Sequence, residues 1–114
     1  MSTITVSSGF TNGVAVSAGV ATSNNYAVIP ISWTGLDGYP EVVVETSLDD
    51  TTYYPAMVVD YANVTRPIKL RLSREDGSES LTVDSIYGAT PYVRIKVYQN
   101  AATTGTITYS IDAG

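Results

Sequence analysis

Apolar and polar residues alternate with a period of two through most of this 114-residue chain. No other feature constrains the fold as tightly, because successive side chains on a strand point to opposite faces while a helix repeats every 3.6 residues. Ala27, Ile29, Ile31 and Trp33 share one face of such a segment. In Tyr92–Tyr98, Val93, Ile95 and Val97 point one way, and Tyr92, Arg94, Lys96 and Tyr98 point the other. Beyond the Asn100–Gly105 loop, Ile107, Tyr109 and Ile111 supply the buried side of the strand that completes a hairpin with Tyr92–Tyr98. Glu41–Ser47 is a valine-rich strand and Tyr53–Val59 another, joined at an Asp49-Asp50-Thr51-Thr52 corner. Ile68, Leu70 and Leu72 alternate with Lys69 and Arg71, which makes one face apolar and the other basic.

No window carries helical periodicity with caps, and no segment recurs at a fixed period. The expected architecture is all-β: a two-sheet antiparallel β-sandwich, jelly-roll or Ig-like, of about eight or nine short strands. Residues 1–114 read as one domain. Trp33, the single tryptophan, is expected as a core anchor whose indole N–H needs one partner. Pro30, on the face opposite Trp33, suggests an edge strand or a bulge.

Residues 1–25 contain no Asp, Glu, Lys or Arg. Strands are expected at Thr3–Ser7 and Val14–Val20 across a Gly9–Gly13 turn, with Val14, Val16, Ala18 and Val20 on one face. The segment reads as an N-terminal edge hairpin, or as an arm that packs on a neighbouring subunit.

Chemistry is narrowed by what is missing. With no histidine and no cysteine, the chain lacks the usual neutral-pH acid–base group, the thiol nucleophile and the common zinc ligands. Carboxylates remain: Asp37, Glu41, Glu45, Asp49, Asp50, Asp60, Glu75, Asp76, Glu79, Asp84 and Asp112. Most fall at turns, where Asp bonds to nearby backbone N–H groups, and no spacing sets two across a glycosidase cleft. Asp49-Asp50 and Glu75-Asp76 are the candidates for calcium, but neither has the Asp-x-Asp-x-Asp spacing of a dedicated loop. No phosphate loop, dinucleotide fingerprint or serine elbow occurs, so no catalytic, cofactor or metal residue is assigned and the chain reads as non-enzymatic.

A net charge of −5 with only six Lys and Arg disfavours nucleic acid, and no apolar run is long enough to cross a bilayer. The first residues lack the basic and apolar regions of a secretory signal. Asn63-Val64-Thr65 fits a glycosylation acceptor, a pattern expected by chance in a chain without such a signal.

Nine tyrosines are many for this length. Tyr53, Tyr54, Tyr92, Arg94, Lys96 and Tyr98 form the candidate interface, since Tyr and Arg are enriched at binding hot spots. The ordinary alternative for the same residues is cross-strand packing.

Two pieces of the chain resemble a known group. Val42–Pro55, a valine-rich strand ending in Ser47-Leu48-Asp49-Asp50 and followed by Thr and aromatic residues, is similar to a hairpin of many bacteriophage virion proteins. Pro91-Tyr92-Val93-Arg94-Ile95 and Gly105-Thr106-Ile107-Thr108 resemble the closing strands of those proteins. Asp50 stands where Gly is usual in that hairpin, and Tyr54 where Trp is common. The resemblance implies a structural virion protein, decorating the capsid or attached to a head fibre or tail, made in the host cytoplasm and located in the virion. Its partners would be capsid or other virion proteins, and it would act as a homo-oligomer or assembly component. The alternative is a carbohydrate-binding or adhesion module that presents its tyrosines to a glycan.

Overall fold

The computed structural model describes residues 1–22, 26–59, 65–84 and 91–113. Asp60 and the Asn63 acceptor pattern lie outside the described residues. Among the described residues thirteen short strands run in chain order: β1 (Ser2–Thr5), β2 (Val14–Val16), β3 (Val20–Ala21), β4 (Tyr26–Thr34), β5 (Glu41–Ser47), β6 (Tyr54–Pro55), β7 (Met57–Val59), β8 (Thr65–Pro67), β9 (Lys69–Arg71), β10 (Gly77–Asp84), β11 (Tyr92–Tyr98), β12 (Thr106–Tyr109) and β13 (Asp112–Ala113). Four interruptions of one to three residues raise the count above the eight or nine strands that the alternation predicts, and closing them leaves nine.

All pairings are antiparallel. The first sheet has the order β1-β12-β4-β10, with β13 continuing β12 along β4. The second has β2 and β3 on one flank of β11, β5 on the other, and β6 and β9 beyond β5. β7 and β8 pair only with each other among the described residues. The two sheets face each other as a β-sandwich, as the alternation predicts. Ala27, Ile29, Ile31, Trp33, Val83 and Ile107 of the first sheet meet Val42, Val44, Val93, Ile95 and Val97 of the second. Each of these is at most 8% exposed. At about 25 cal/mol per Å² of apolar surface removed from water, this layer is the main source of stability.

The hairpin expected across the Asn100–Gly105 loop does not form, because β11 belongs to the second sheet and β12 to the first. The N-terminal hairpin does not form either. β1 pairs with β12 in the first sheet, whereas β2 and β3 pair with β11 in the second. The chain changes sheets at a tight turn around Asn12 (φ 54°) and Gly13 (φ 78°), closed by two hydrogen bonds between Thr11 and Val14. Nor do Val14, Val16 and Val20 share a face. Lys96 faces Val16 while Val93 faces Val20, so the register slips by one residue between β2 and β3. A bulge at Ser17–Gly19 absorbs the extra residue: Ser17 donates its N–H to Ile95 O, and its hydroxyl accepts the Ile95 N–H at 2.9 Å. Such a slip reverses which face each side chain takes. Val16 is accordingly 48% exposed.

Pro30 also departs from expectation, because β4 lies between β12 and β10 and is not an edge strand. Ser110 donates its N–H to Pro30 O at 3.2 Å, so the backbone groups of Pro30 face β12 and β13. Proline returns no N–H, and the ladder is interrupted there, between Tyr109 and Asp112.

Candidate contact surface

β11 presents Tyr92, Arg94, Lys96 and Tyr98 on the outer face of the second sheet, as its alternation requires. Their register partners on β5 are Ser47, Glu45, Val43 and Glu41, and paired residues project to the same side. β9 then adds Lys69 opposite Val43 and Arg71 opposite Glu41. The basic side of the Ile68–Leu72 segment thus lies on the same face as the two cations of β11. The sequence showed each basic stripe but not that both belong to one sheet.

The centre of this face is a packed cluster. Arg94 donates Nε–H to Glu45 Oε1 at 2.8 Å, and its guanidinium carbon lies 3.9 Å from the centre of the Tyr53 ring. Glu45 is only 7% exposed, so an apolar-shielded carboxylate, a cation and an aromatic ring are stacked together. The Tyr53 hydroxyl donates to Asp50 Oδ1. Burial first, and then that bond, push the Tyr53 hydroxyl up to about 12. Tyr53 therefore carries its proton throughout the physiological range and serves as a support for Arg94. Asp50 (φ 60°) holds a left-handed conformation that glycine would adopt without steric cost.

The six candidate residues do not form one patch. Tyr54 pairs with Thr46, whose side of β5 is that of Val42 and Val44, so it projects away from Arg94. It is 65% exposed at the sheet margin. Tyr98 is 36% exposed, with the Lys96 ammonium 5.2 Å from its ring centre. Beside Tyr98 is an open groove of about 440 Å³, lined by Glu41, Val43, Pro55, Pro67, Lys69 and Asn100. Val43, Pro55, Pro67 and Tyr98 give it apolar lining, and Glu41, Lys69 and Asn100 give it polar groups. Val43, Pro55, Pro67 and Lys69 were not recognised in the sequence as belonging to a site. Three come from strands far apart in the chain, and only the β5–β6 and β5–β9 pairings bring them together.

The opposite outer face is chemically different. Thr3 and Thr5 of β1, Thr106 and Thr108 of β12, Ser32 and Thr34 of β4, and Ser78, Ser80 and Thr82 of β10 share one side of the first sheet. Asp76 bounds this hydroxyl field at one end and Asp112 at the other. The short Thr-x-Thr and Ser-x-Ser-x-Thr runs were its signal in the sequence.

Several acidic residues act locally. Asp49 Oδ1 accepts from the Ser47 hydroxyl and from the N–H groups of Thr51 and Thr52 at 2.9–3.0 Å. Asp76 accepts from the Gly35 N–H and the Thr34 hydroxyl, both at 2.9 Å. Asp37 ties two loops together by accepting from the Thr103 hydroxyl and from the Thr103 and Thr104 N–H groups at 2.7 and 3.1 Å. These donors hold the carboxyls of Asp49 and Asp76 below their usual range and bring Asp37 down to about 2. Among the described residues, no three acidic side chains gather as a metal site would require. Comparison with family models, with curated proteins and with solved structures finds no match.

Proposed function

We propose that this chain is a non-enzymatic structural protein of a phage virion, attached to capsid or other virion proteins through the outer face of its second sheet. The observation that carries the reading is the Tyr92–Tyr98 face. There Arg94 is held against Glu45 and Tyr53 while Tyr98, Lys96 and Lys69 remain at the surface. Rigid aromatic and cationic groups on a β-scaffold lose little entropy on contact and suit a protein partner. Of the segments similar to those of virion proteins, Val42–Pro55 and Pro91–Ile95 contribute the adjacent strands β5 and β11 of this face. Co-sedimentation tests the reading: the purified chain should travel with phage particles through a density gradient, and Lys96→Glu with Tyr98→Ala should leave it at the top. A wild-type chain that remains at the top of the gradient overturns it.

The groove beside Tyr98 favours a second reading, a glycan-binding or adhesion module, because an aromatic ring among polar groups suits a sugar ring. On a glycan array, binding that disappears with Tyr98→Ala supports it. Tyr53→Ala is not a direct test, because the Tyr53 ring is covered by Arg94. An array without signal at high protein concentration removes this reading.

A further inference from the structure

A sheet edge is an invitation to another strand, and folded proteins blunt their edges with charge, proline, bulges or cover. Three edges of this sandwich are blunted among the described residues. At β1, the Thr5 carbonyl is taken up by the Ser8 and Gly9 N–H groups. The β2–β3 edge is broken by the Ser17–Gly19 bulge. Beyond β5, the edge divides where the β7–β8 hairpin leaves the sheet: Val44 donates to Ile68 O, Ala56 to Val44 O and Ile68 to Ala56 O. The fourth edge, β10, is eight residues long, unbroken and free of proline, lysine and arginine, and Glu79 and Asp84 are its charged residues.

The direction of the β10 backbone groups follows from β4. Pro30 addresses β12 and β13, and consecutive strand residues address opposite neighbours. Ala27, Ile29, Ile31 and Trp33 therefore bond to Val83, Leu81, Glu79 and Gly77. Ser78, Ser80 and Thr82 are left with N–H and C=O groups directed away from the sheet.

We propose that β10 pairs antiparallel with β10 of a second copy of this chain, about a two-fold axis at Leu81. In this register Ser80 faces Thr82, Ser78 faces Asp84 and Glu79 faces Val83 of the partner copy. Each outward N–H and C=O thereby meets another, side chains of the same face stay together, and the two hydroxyl fields merge across one continuous sheet. A two-fold contact of this kind closes on itself as a dimer. Glu79 selects the register. Its charge and its copy stand four residues apart along the strand, about 14 Å, beyond the screening length of roughly 10 Å at 0.1 M salt. Shifting the axis to Glu79 would instead set two carboxylates face to face. The proposal does not rest on the virion reading: a dimer that ignores phage particles, or a monomer that binds them, separates the two.

Light scattering after size exclusion tests it, together with unique cysteines placed in this cysteine-free chain. The wild type should show about twice the chain mass of 12.1 kDa. Ser80→Pro removes one outward N–H and none that bonds β4, so it should retain the β-sheet circular dichroism spectrum and fall to a single chain mass. On mild oxidation Leu81→Cys should cross-link to a dimer. Residues opposed in a non-hydrogen-bonded pair have α-carbons about 4.5 Å apart, within disulfide reach. Glu79→Cys should not cross-link. A wild type of single mass at about 0.2 mM, a range in which micromolar dimers are saturated, overturns the proposal. So does a folded Ser80→Pro that keeps the dimer mass. If Ser80→Pro fails to fold, the cross-linking pair decides: cross-linking at Glu79→Cys and not at Leu81→Cys overturns the register.

Discussion

The indole of Trp33 occupies the space that a side chain at Gly77 would need. The two residues are register partners on β4 and β10, and a β-carbon built on Gly77 would fall 2.7 Å from Trp33 Cζ2. The indole N–H, carried past the glycine, donates to Glu75 O at 2.8 Å. The single tryptophan is thus the core anchor that the sequence led one to expect, with its one polar atom satisfied.

Gly77→Ala should displace the indole and cost about 1–3 kcal/mol, the usual range for overpacking a tight site. The urea midpoint measures the loss, and the emission maximum of the one tryptophan should shift to the red as the ring becomes more exposed. An unchanged midpoint and spectrum would refute the close approach.

Removing Arg94 leaves the carboxylate of Glu45 shielded and unpaired, and takes the cation off the Tyr53 ring. Arg94→Ala should therefore destabilise the fold by about 2 kcal/mol. The double variant with Glu45→Ala should lose less than the sum of the two single changes, because each alone orphans its partner. A double-mutant cycle by chemical denaturation gives the coupling, and strict additivity would refute it.

Ala101 stands at φ 65°, immediately after Asn100 at φ 48°, in the turn between β11 and β12. A left-handed alanine carries a steric cost of roughly 1 kcal/mol that glycine avoids. Ala101→Gly, at this exposed position, should raise stability by about 0.5 kcal/mol once the greater freedom of the unfolded chain is offset. Thermal or urea unfolding of the two proteins side by side reads the sign.

Acid should weaken the molecule in a defined window. Asp37 has its carboxyl near 2 in the fold against an ordinary 3.8, and Asp49 and Asp76 are shifted in the same direction. A depressed folded value means stability that is fully present above the unfolded value and is lost as pH falls through the folded one. Melting temperature should accordingly hold down to about pH 4 and decline toward about pH 2. Asp37→Asn should lower the plateau and shallow the decline, since it removes the carboxylate that holds Thr103 and Thr104. An identical acid profile in that variant would show that Asp37 takes no part.

The alternation alone determined that this chain is a β-sandwich and which residues of β4 and β11 lie inside, because facing is a local property with a period of two. It also placed Tyr92, Arg94, Lys96 and Tyr98 on one side of one strand. Which strands become neighbours was decided by tertiary structure. The bulge at Ser17–Gly19 reverses the face of a segment whose pattern looks continuous. Pro30 sits in an interior strand because its missing donor falls at an interruption that lies eighty residues later in the chain, at Ser110. Glu45 meets Arg94 across 49 residues of sequence, and Lys69 joins Tyr98 only through β5. Facing is set residue by residue by backbone geometry, whereas pairing and register depend on hydrogen bonds between distant segments, which no local pattern encodes.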